Sequence, residues 1–184
     1  MDNSIVIKKY KNSVTRKYIS VSNDEIDTIK KGDYWFSKKI DGQLWFYCKT
    51  TKNSKIINSN ENDISNLVKD IKKDLDKKLS KSKNIILAGE LYFLTKDRER
   101  YGDTISALGD NSKKKNLRLG IFDVVASDKF ISSFENKYNF LKKILGKNLN
   151  DFSHVLSHKK IKKNEINKFF KEIVIKNNAE GLIV

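Results

Sequence analysis

Proline is absent from the chain, and among 184 residues there is one cysteine, Cys48. Without proline no turn can be preset by a fixed φ, so glycine, asparagine, aspartate and serine must make the turns. A lone cysteine excludes an internal disulfide and any multi-cysteine zinc site, and Cys48, set in an apolar run, reads as a small core residue of a strand. Arginine is scarce as well, occurring only as Arg16, Arg98, Arg100 and Arg118, so the basic character is carried by lysine. No apolar run approaches the roughly 18 residues of a membrane span, and MDNSIVIKKY lacks the apolar core of a signal peptide. No membrane partner and an intracellular location are therefore expected.

What is present is charge and aromatic bulk. A net charge of +15 points to a polyanionic partner, since lysines that neutralise phosphates release counterions and supply sequence-independent affinity. Lysine in place of arginine, with abundant asparagine and isoleucine, is also the pattern of an AT-rich genome. Ten Phe, seven Tyr and two Trp provide a real core and argue against disorder. The length suits one domain, and no repeat or linker divides it.

Along the chain, Ile5, Val6 and Ile7 read as a short strand or arm, and VTRKYISV (14–21) has strand character. Ser22-Asn23-Asp24-Glu25-Ile26 looks like a cap opening a short helix through Ile29. Tyr34–Phe36 and Leu44–Cys48 read as a hairpin-like pair. A turn at Lys52-Asn53-Ser54 precedes a brief strand. Ile64, Leu67, Val68, Ile71, Leu75 and Leu79 form a helical stripe over Asp63–Leu79. The nearly continuous apolar runs Ile85–Leu94 and Leu117–Val125 predict buried strands. Between them lies a long polar connection, Thr95–Asn116, with a short helix at Thr104–Leu108. The helical spacing returns at Phe134–Leu145, ended by Gly146. A short strand follows at Phe152–Leu156, with Ile161 beyond it. An amphipathic helix at Asn164–Ile175 turns Ile166, Phe169, Phe170, Ile173 and Val174 inward, and Leu182–Val184 starts a last strand.

The stretch FSKKIDGQLWFY, Phe36 to Tyr47, holds the chemistry. Lys39-Ile40-Asp41-Gly42 sets a lysine two residues before an aspartate and a glycine, at the joint of two apolar segments. An amine attacks phosphorus or carbon only when unprotonated, so a nucleophilic lysine needs a site that desolvates it or places another cation beside it. Gly42 would let the chain turn sharply and bring backbone close to a ligand. A K-x-D-G alone is more often a surface turn between two strands, with Lys and Asp solvated. Its weight comes from what recurs downstream: Gly89-Glu90 and Phe122-Asp123 within strands and Glu180-Gly181 at a strand entry. A carboxylate inside an apolar strand must be paired, bonded or facing a cleft.

Four short motifs in this order resemble the adenylation domain of the covalent nucleotidyltransferases, the superfamily of ATP-dependent DNA ligases, RNA ligases and mRNA capping enzymes, from about Phe36 to the last residue. The resemblance implies an α+β fold of largely antiparallel sheets flanked by helices, the ATP-grasp-like nucleotidyltransferase domain with a central nucleotide cleft. It implies that Lys39 attacks the ATP α-phosphate to give a lysyl-adenylate, with Asp41 beside the lysine and the ribose. Ser37, Lys38, Lys39, Ile40, Glu90, Phe122 and Glu180 would line the nucleotide site, Phe122 stacking on adenine and Glu90 near the ribose hydroxyls. Glu180, with Glu90, would hold Mg²⁺ or Mn²⁺. Arg98-Glu99-Arg100-Tyr101-Gly102-Asp103-Thr104 and Ser106-Ala107-Leu108 resemble small DNA ligases more than capping enzymes, which implies a monomer acting on nicked double-stranded DNA through Lys52, Arg98 and Arg100.

An RNA substrate, an mRNA guanylyltransferase and a basic nucleic-acid-binding remnant without turnover stay open beside that reading. His154 and His158 have no part in the scheme and are expected on the outer helical side. Two departures stand out. The family usually continues K-x-D-G-x-R, and Leu44 occupies the arginine position, so that contact to the nucleotide or phosphate is either missing or supplied from elsewhere, with Lys49 as a candidate. The chain also stops shortly after Glu180-Gly181, so the expectation is an adenylation domain over residues 1–184 that is incomplete at its C-terminus, without the K-x-K motif and the oligonucleotide-binding domain that follow in the family.

Overall fold

The apolar run IILAGELYF becomes a strand at the centre of the larger of two sheets, and the rest of the fold exists to cover its two faces. The computed structural model describes residues 3–15, 23–128, 131 and 133–184. Helices are α1 (Asn3–Ser13), α2 (Lys69–Lys78), α3 (Tyr101–Gly109), α4 (Phe134–Leu145) and α5 (Ile166–Phe170). Strands are β1 (Asp33–Lys39), β2 (Gln43–Lys49), β3 (Ser54–Ile57), β4 (Ile85–Phe93), β5 (Leu117–Ser127), β6 (Ser153–Val155), β7 (Lys159–Lys162) and β8 (Gly181–Ile183). They form a five-stranded sheet, β3-β2-β4-β5-β6, and a three-stranded sheet, β7-β1-β8. All pairs are antiparallel except β5 with β6. The architecture is the expected α+β class. Among the described residues no helix is long and apolar enough to cross a membrane.

Alternation along β4 divides the core. Ile85, Leu87 and Leu91 face Tyr47, Leu119 and Ile121 and are covered by Ile71 and Leu75 of α2 and by Tyr138 and Leu141 of α4. Ile86 and Ala88 face the other way, with Phe46 and Cys48 of β2, and are covered by Ile7 and Tyr10 of α1. A third cluster, Ile26, Phe36, Ile161 and Ile166, packs α5 and the 3₁₀ turn Asn23–Thr28 on the outer face of the small sheet.

Several expectations need correction. Ile5–Ile7 is helix, not strand or arm: burial falls on Ile7 and Tyr10, three apart, while Ile5 is exposed. The reading at 14–21 lies from Arg16 on outside the described residues. The stripe from Asp63 is helical only from Lys69, because the segment before it is tied to β3. Asp63 bridges Ile57, and Ser65 Oγ accepts from the Ile56 amide at 2.8 Å. Ile64 and Val68 still reach the core from these turns, whereas Leu67 is exposed. The largest change concerns β1 and β2. They are no hairpin: β1 pairs with β7 and β8, β2 with β3 and β4, so Ile40-Asp41-Gly42 crosses from one sheet to the other.

The histidines are not on an outer surface either. His154, on β6, is fully buried with Nε2 3.2 Å from the Tyr92 hydroxyl, and burial first of all pulls its pKa down to about 4. His158 packs edge-on against Phe134 and Tyr138. Cys48 is a buried strand residue as expected, and burial pushes its thiol up to about 12. With almost no thiolate at neutral pH, iodoacetamide should leave the folded protein unlabelled and modify it readily in urea. Fast labelling without denaturant would contradict this packing.

Candidate active site

β1 alternates Trp35, Ser37 and Lys39 on one face with Phe36 and Lys38 on the other. Phe36 packs against Phe169 beneath the small sheet, and Trp35 against the core of the large one. The Lys39 face is therefore turned toward the five-stranded sheet, and the space between is the cleft. β8 lies beside it in fixed register, Lys39 opposite Gly181 and Ser37 opposite Ile183, which sets Glu180 next to the lysine. Lys39 Nζ donates to Glu180 Oε1, and its side chain is 46% exposed, so the desolvated amine or neighbouring cation expected from the sequence is not what the structure shows: a carboxylate stands beside a half-exposed lysine. The other Glu180 oxygen, Oε2, is buried without a hydrogen-bond partner.

From the opposite wall comes Glu90. Its place on β4, opposite Leu44 on one side and Gly120 on the other, puts its carboxyl on the face shared with Ala88. Burial raises its pKa to about 8; Lys39 opposes that shift, and Glu180 and Asp41 add to it. These influences are the electrostatic signature of one cluster: Lys39, Asp41, Glu90 and Glu180. Gly42 closes the junction. A Cβ there would fall on the Leu91 carbonyl oxygen and 2.9 Å from Glu90 Cγ. Its role is thus close approach to β4. The only described glycine with positive φ is Gly146, past the end of α4.

The sign of the Glu90 shift fixes a pH dependence. Below pH 4.5, its ordinary value, the carboxyl is neutral folded or unfolded. Between there and about 8 only the unfolded chain ionises, so this group lowers stability as pH rises, by up to about 1.4 kcal/mol per pH unit. Glu90→Gln should flatten the decline between pH 5 and pH 8 in urea melts. Parallel slopes for the two proteins would rule the shift out.

Other candidates lie farther off. Lys38 points away from Lys39 and pairs with Glu99 at 2.6 Å, so the connection after β4 is tied to β1. Within that connection Arg98 has its Nε buried and unpartnered, and the backbone carbonyl of Arg100 accepts from Thr104 as α3 begins. Fully buried Thr104 also receives the Phe93 amide at 3.1 Å, which anchors the segment on β4. Ile40 lies in the crossover, and Phe122 is half-buried on β5. Lys52 is on the β2–β3 turn, beyond the end of β2 remote from Gly42, about 20 Å along the strand. It does not join the cluster. Lys49 cannot replace the arginine missing at Leu44, because its Nζ donates to the Leu79 carbonyl at the end of α2. Leu44 itself packs on the apolar cluster beneath α1.

Asp123 had no assigned part in the sequence reading. Its carboxylate accepts from Tyr10 Oη at 2.8 Å and Lys137 Nζ at 3.0 Å, joining α1 and α4 to β5. Neither link leaves a signal in local spacing. For a divalent cation, the orphaned Glu180 Oε2 is a fitting oxygen donor, whereas neutral Glu90 is a poor one until it ionises. No group of three or more His, Cys, Asp or Glu among the described residues forms a ready-made cage.

The model of the ATP-dependent DNA ligase domain family matches residues 16–184. No curated protein sequence matches the chain. Among solved structures, the chain named Pmar-Lig_Pre aligns with a TM-score of 0.66 at 14% identity, over 96% of this chain and 45% of that one. The ligase domain of LigD from M. tuberculosis gives 0.62 at 14%, over 81% and 47%. The ATP-dependent DNA ligase of bacteriophage T7, in complex with ATP, gives 0.57 at 14%, over 90% and 60%. Such identities speak for the fold, and the chain spans roughly half the length of these structures. The family match is the stronger finding, since it runs from Arg16 through all four motifs to the final residue: the chain belongs to the ATP-dependent DNA ligase domain family.

Proposed function

We propose that the domain carries out protein adenylation for an ATP-dependent DNA ligase, with Lys39 as the nucleophile. The observation that carries the reading is the convergence of Lys39 and Asp41 at the β1–β2 crossover, Glu90 of β4 and Glu180 before β8, three separate segments, on one cleft between two sheets. In the step itself, Lys39 Nζ forms a bond to the α-phosphorus, the P–O bond to the β-phosphate breaks, and pyrophosphate leaves. The ammonium first gives one proton to Glu180, its hydrogen-bond partner, which exposes the lone pair, and the second proton, shed as the P–N bond forms, leaves to solvent or with pyrophosphate.

In this reading Asp41 and Glu90, grouped with Lys39, are the groups that meet the ribose. The neutral Glu90 carboxyl can donate as well as accept a hydrogen bond there. Ile183, in register with Ser37, and Phe122 on the opposite sheet are the apolar groups available to the base, and stacking on an aromatic ring contributes about 1–3 kcal/mol. Mg²⁺ or Mn²⁺, held by Glu180 Oε2 and the phosphates, would spread the charge developing on pyrophosphate.

The AMP would then pass to the 5′-phosphate of a nick in double-stranded DNA and be displaced by the 3′-hydroxyl, the sealing step that replication, repair and recombination require. Arg98 and Arg100, on the connection anchored to β4, are the cations available to that phosphate. Lys52, beyond the far end of β2, would meet the duplex backbone. A monomer inside the cell is the setting these substrates imply.

Incubation with α-labelled ATP and Mg²⁺ should label the protein covalently, and excess pyrophosphate should reverse the labelling. A protein that binds DNA in a salt-sensitive way yet never acquires label would instead be a binding remnant.

A further inference from the structure

The family model begins at residue 16, so α1 lies outside it. Yet α1 is the helix packed on the sheet face that carries Phe122 and Glu90, and the strand beneath it is irregular there. Gly89 pairs with Ile121 and Ala88 with Asp123, which leaves Phe122 as the extra residue of a β-bulge. A bulge re-aims side chains and leaves the extra residue without a ladder partner. Phe122 and Asp123 can then share one face, and their orientation depends on what holds them from above.

α1 is one of the elements that hold them, beside Lys137 of α4. The Asp123 side chain, 13% exposed, accepts from Tyr10 Oη at 2.8 Å, from Lys137 Nζ at 3.0 Å and from the Val124 amide at 2.8 Å. The Phe122 ring packs against the cluster formed by Ile7, Tyr10, Phe46 and Ala88, in which Tyr10 and Phe46 meet edge to face at 6.0 Å. The helix has independent anchors, Ile7 in the core and Lys11 Nζ on Ser59 Oγ at 2.9 Å. One hydroxyl can therefore be removed without releasing it.

We propose that α1 is a positioning element for the base platform and that Tyr10 is its positioning residue: by gripping Asp123 it sets the angle at which Phe122 meets a purine. This rests on the reading of Phe122 as the surface for the base. The consequence is selective. Affinity for the nucleoside end of ATP should depend on Tyr10, while the phosphate end and the chemical step at Lys39 should not.

The test uses the full chain and calorimetric titration with AMP and, separately, with inorganic pyrophosphate, beside the rate of adduct formation at saturating ATP. Tyr10→Phe should weaken AMP binding about five- to twentyfold, less than the roughly 10- to 150-fold that a hydrogen bond to a charged group is worth in full, because Lys137 and the Val124 amide still hold Asp123. Pyrophosphate affinity and the saturated rate should stay within about twofold. Lys11→Ala, which loosens the same helix away from Asp123, should bind AMP like the parent. In a Phe122→Leu background Tyr10→Phe should have no further effect.

Equal losses for AMP and pyrophosphate, or additive losses in the double variant, would overturn the proposal, as would unchanged AMP binding. A parent protein that labels and binds AMP while Tyr10→Phe does the same sinks only the role of α1. A parent that binds no nucleotide removes the functional reading and this inference together.

Discussion

Replacing Lys39 by alanine is expected to abolish covalent labelling by α-labelled ATP, a loss of at least about a thousandfold, since covalent catalysis has no substitute for its nucleophile. Lys39→Arg is the sharper variant. It keeps a cation beside Glu180 in a half-exposed pair worth at most about 1 kcal/mol, so both variants should melt close to the parent. A guanidinium, charged at any accessible pH, cannot attack phosphorus. The parent adduct should be a phosphoramidate, labile in acid and stable in alkali. Label surviving in Lys39→Arg with that stability pattern would mean that another lysine is the nucleophile. The cluster would then be an ion-pair network with no part in catalysis.

Gly42→Ala should have the next largest effect, through a different cause. The added methyl would meet the Leu91 carbonyl and come within 3.1 Å of its carbon. Leu91 belongs to the central strand β4, bonded on both sides by β2 and β5, so the crossover must move instead. Overpacking of this kind costs about 1–3 kcal/mol, or roughly 2–4 °C of melting temperature per kcal/mol in a domain of this size. Because the same crossover carries Asp41 and follows Lys39 directly, a shift near 1 Å should slow adduct formation about a hundredfold. Calorimetric melting and single-turnover labelling read the two effects separately. A variant that melts and labels like the parent would show that the crossover does not need the close approach.

The elements most legible in the sequence were those whose pattern is local. Ile85–Leu94 predicts a buried central strand, and β4 occupies the middle of the large sheet. Phe134–Leu145 predicts a helix with the bounds of α4, closed by Gly146 at φ 70. Elements fixed by long-range pairing were misread. Tyr34–Phe36 and Leu44–Cys48 look like hairpin partners because they are neighbours of like composition. β1 instead finds β7 and β8 more than a hundred residues later, a choice that depends on which face α5 and the large sheet cover. Three adjacent β-branched residues at the N-terminus resemble a strand, and only the shape of the surface over Phe46 and Ala88 makes a helix the better cover.

By itself the sequence determined the inventory: an amine in Lys39-Ile40-Asp41-Gly42, carboxylates within apolar strands, one inert thiol, a basic composition and the order of motifs that marks the family. Tertiary structure alone decided which of these groups meet. It brought Glu180 beside Lys39 through the β1–β8 register and set Glu90 across the cleft. It also sent Lys38 to Glu99 and Lys49 to the end of α2, and it engaged Asp123 with Tyr10. The reason is that residue type and spacing encode local conformation, whereas the distance between two side chains far apart in sequence depends on strand register and on the packing of faces, and no short stretch of the chain contains either.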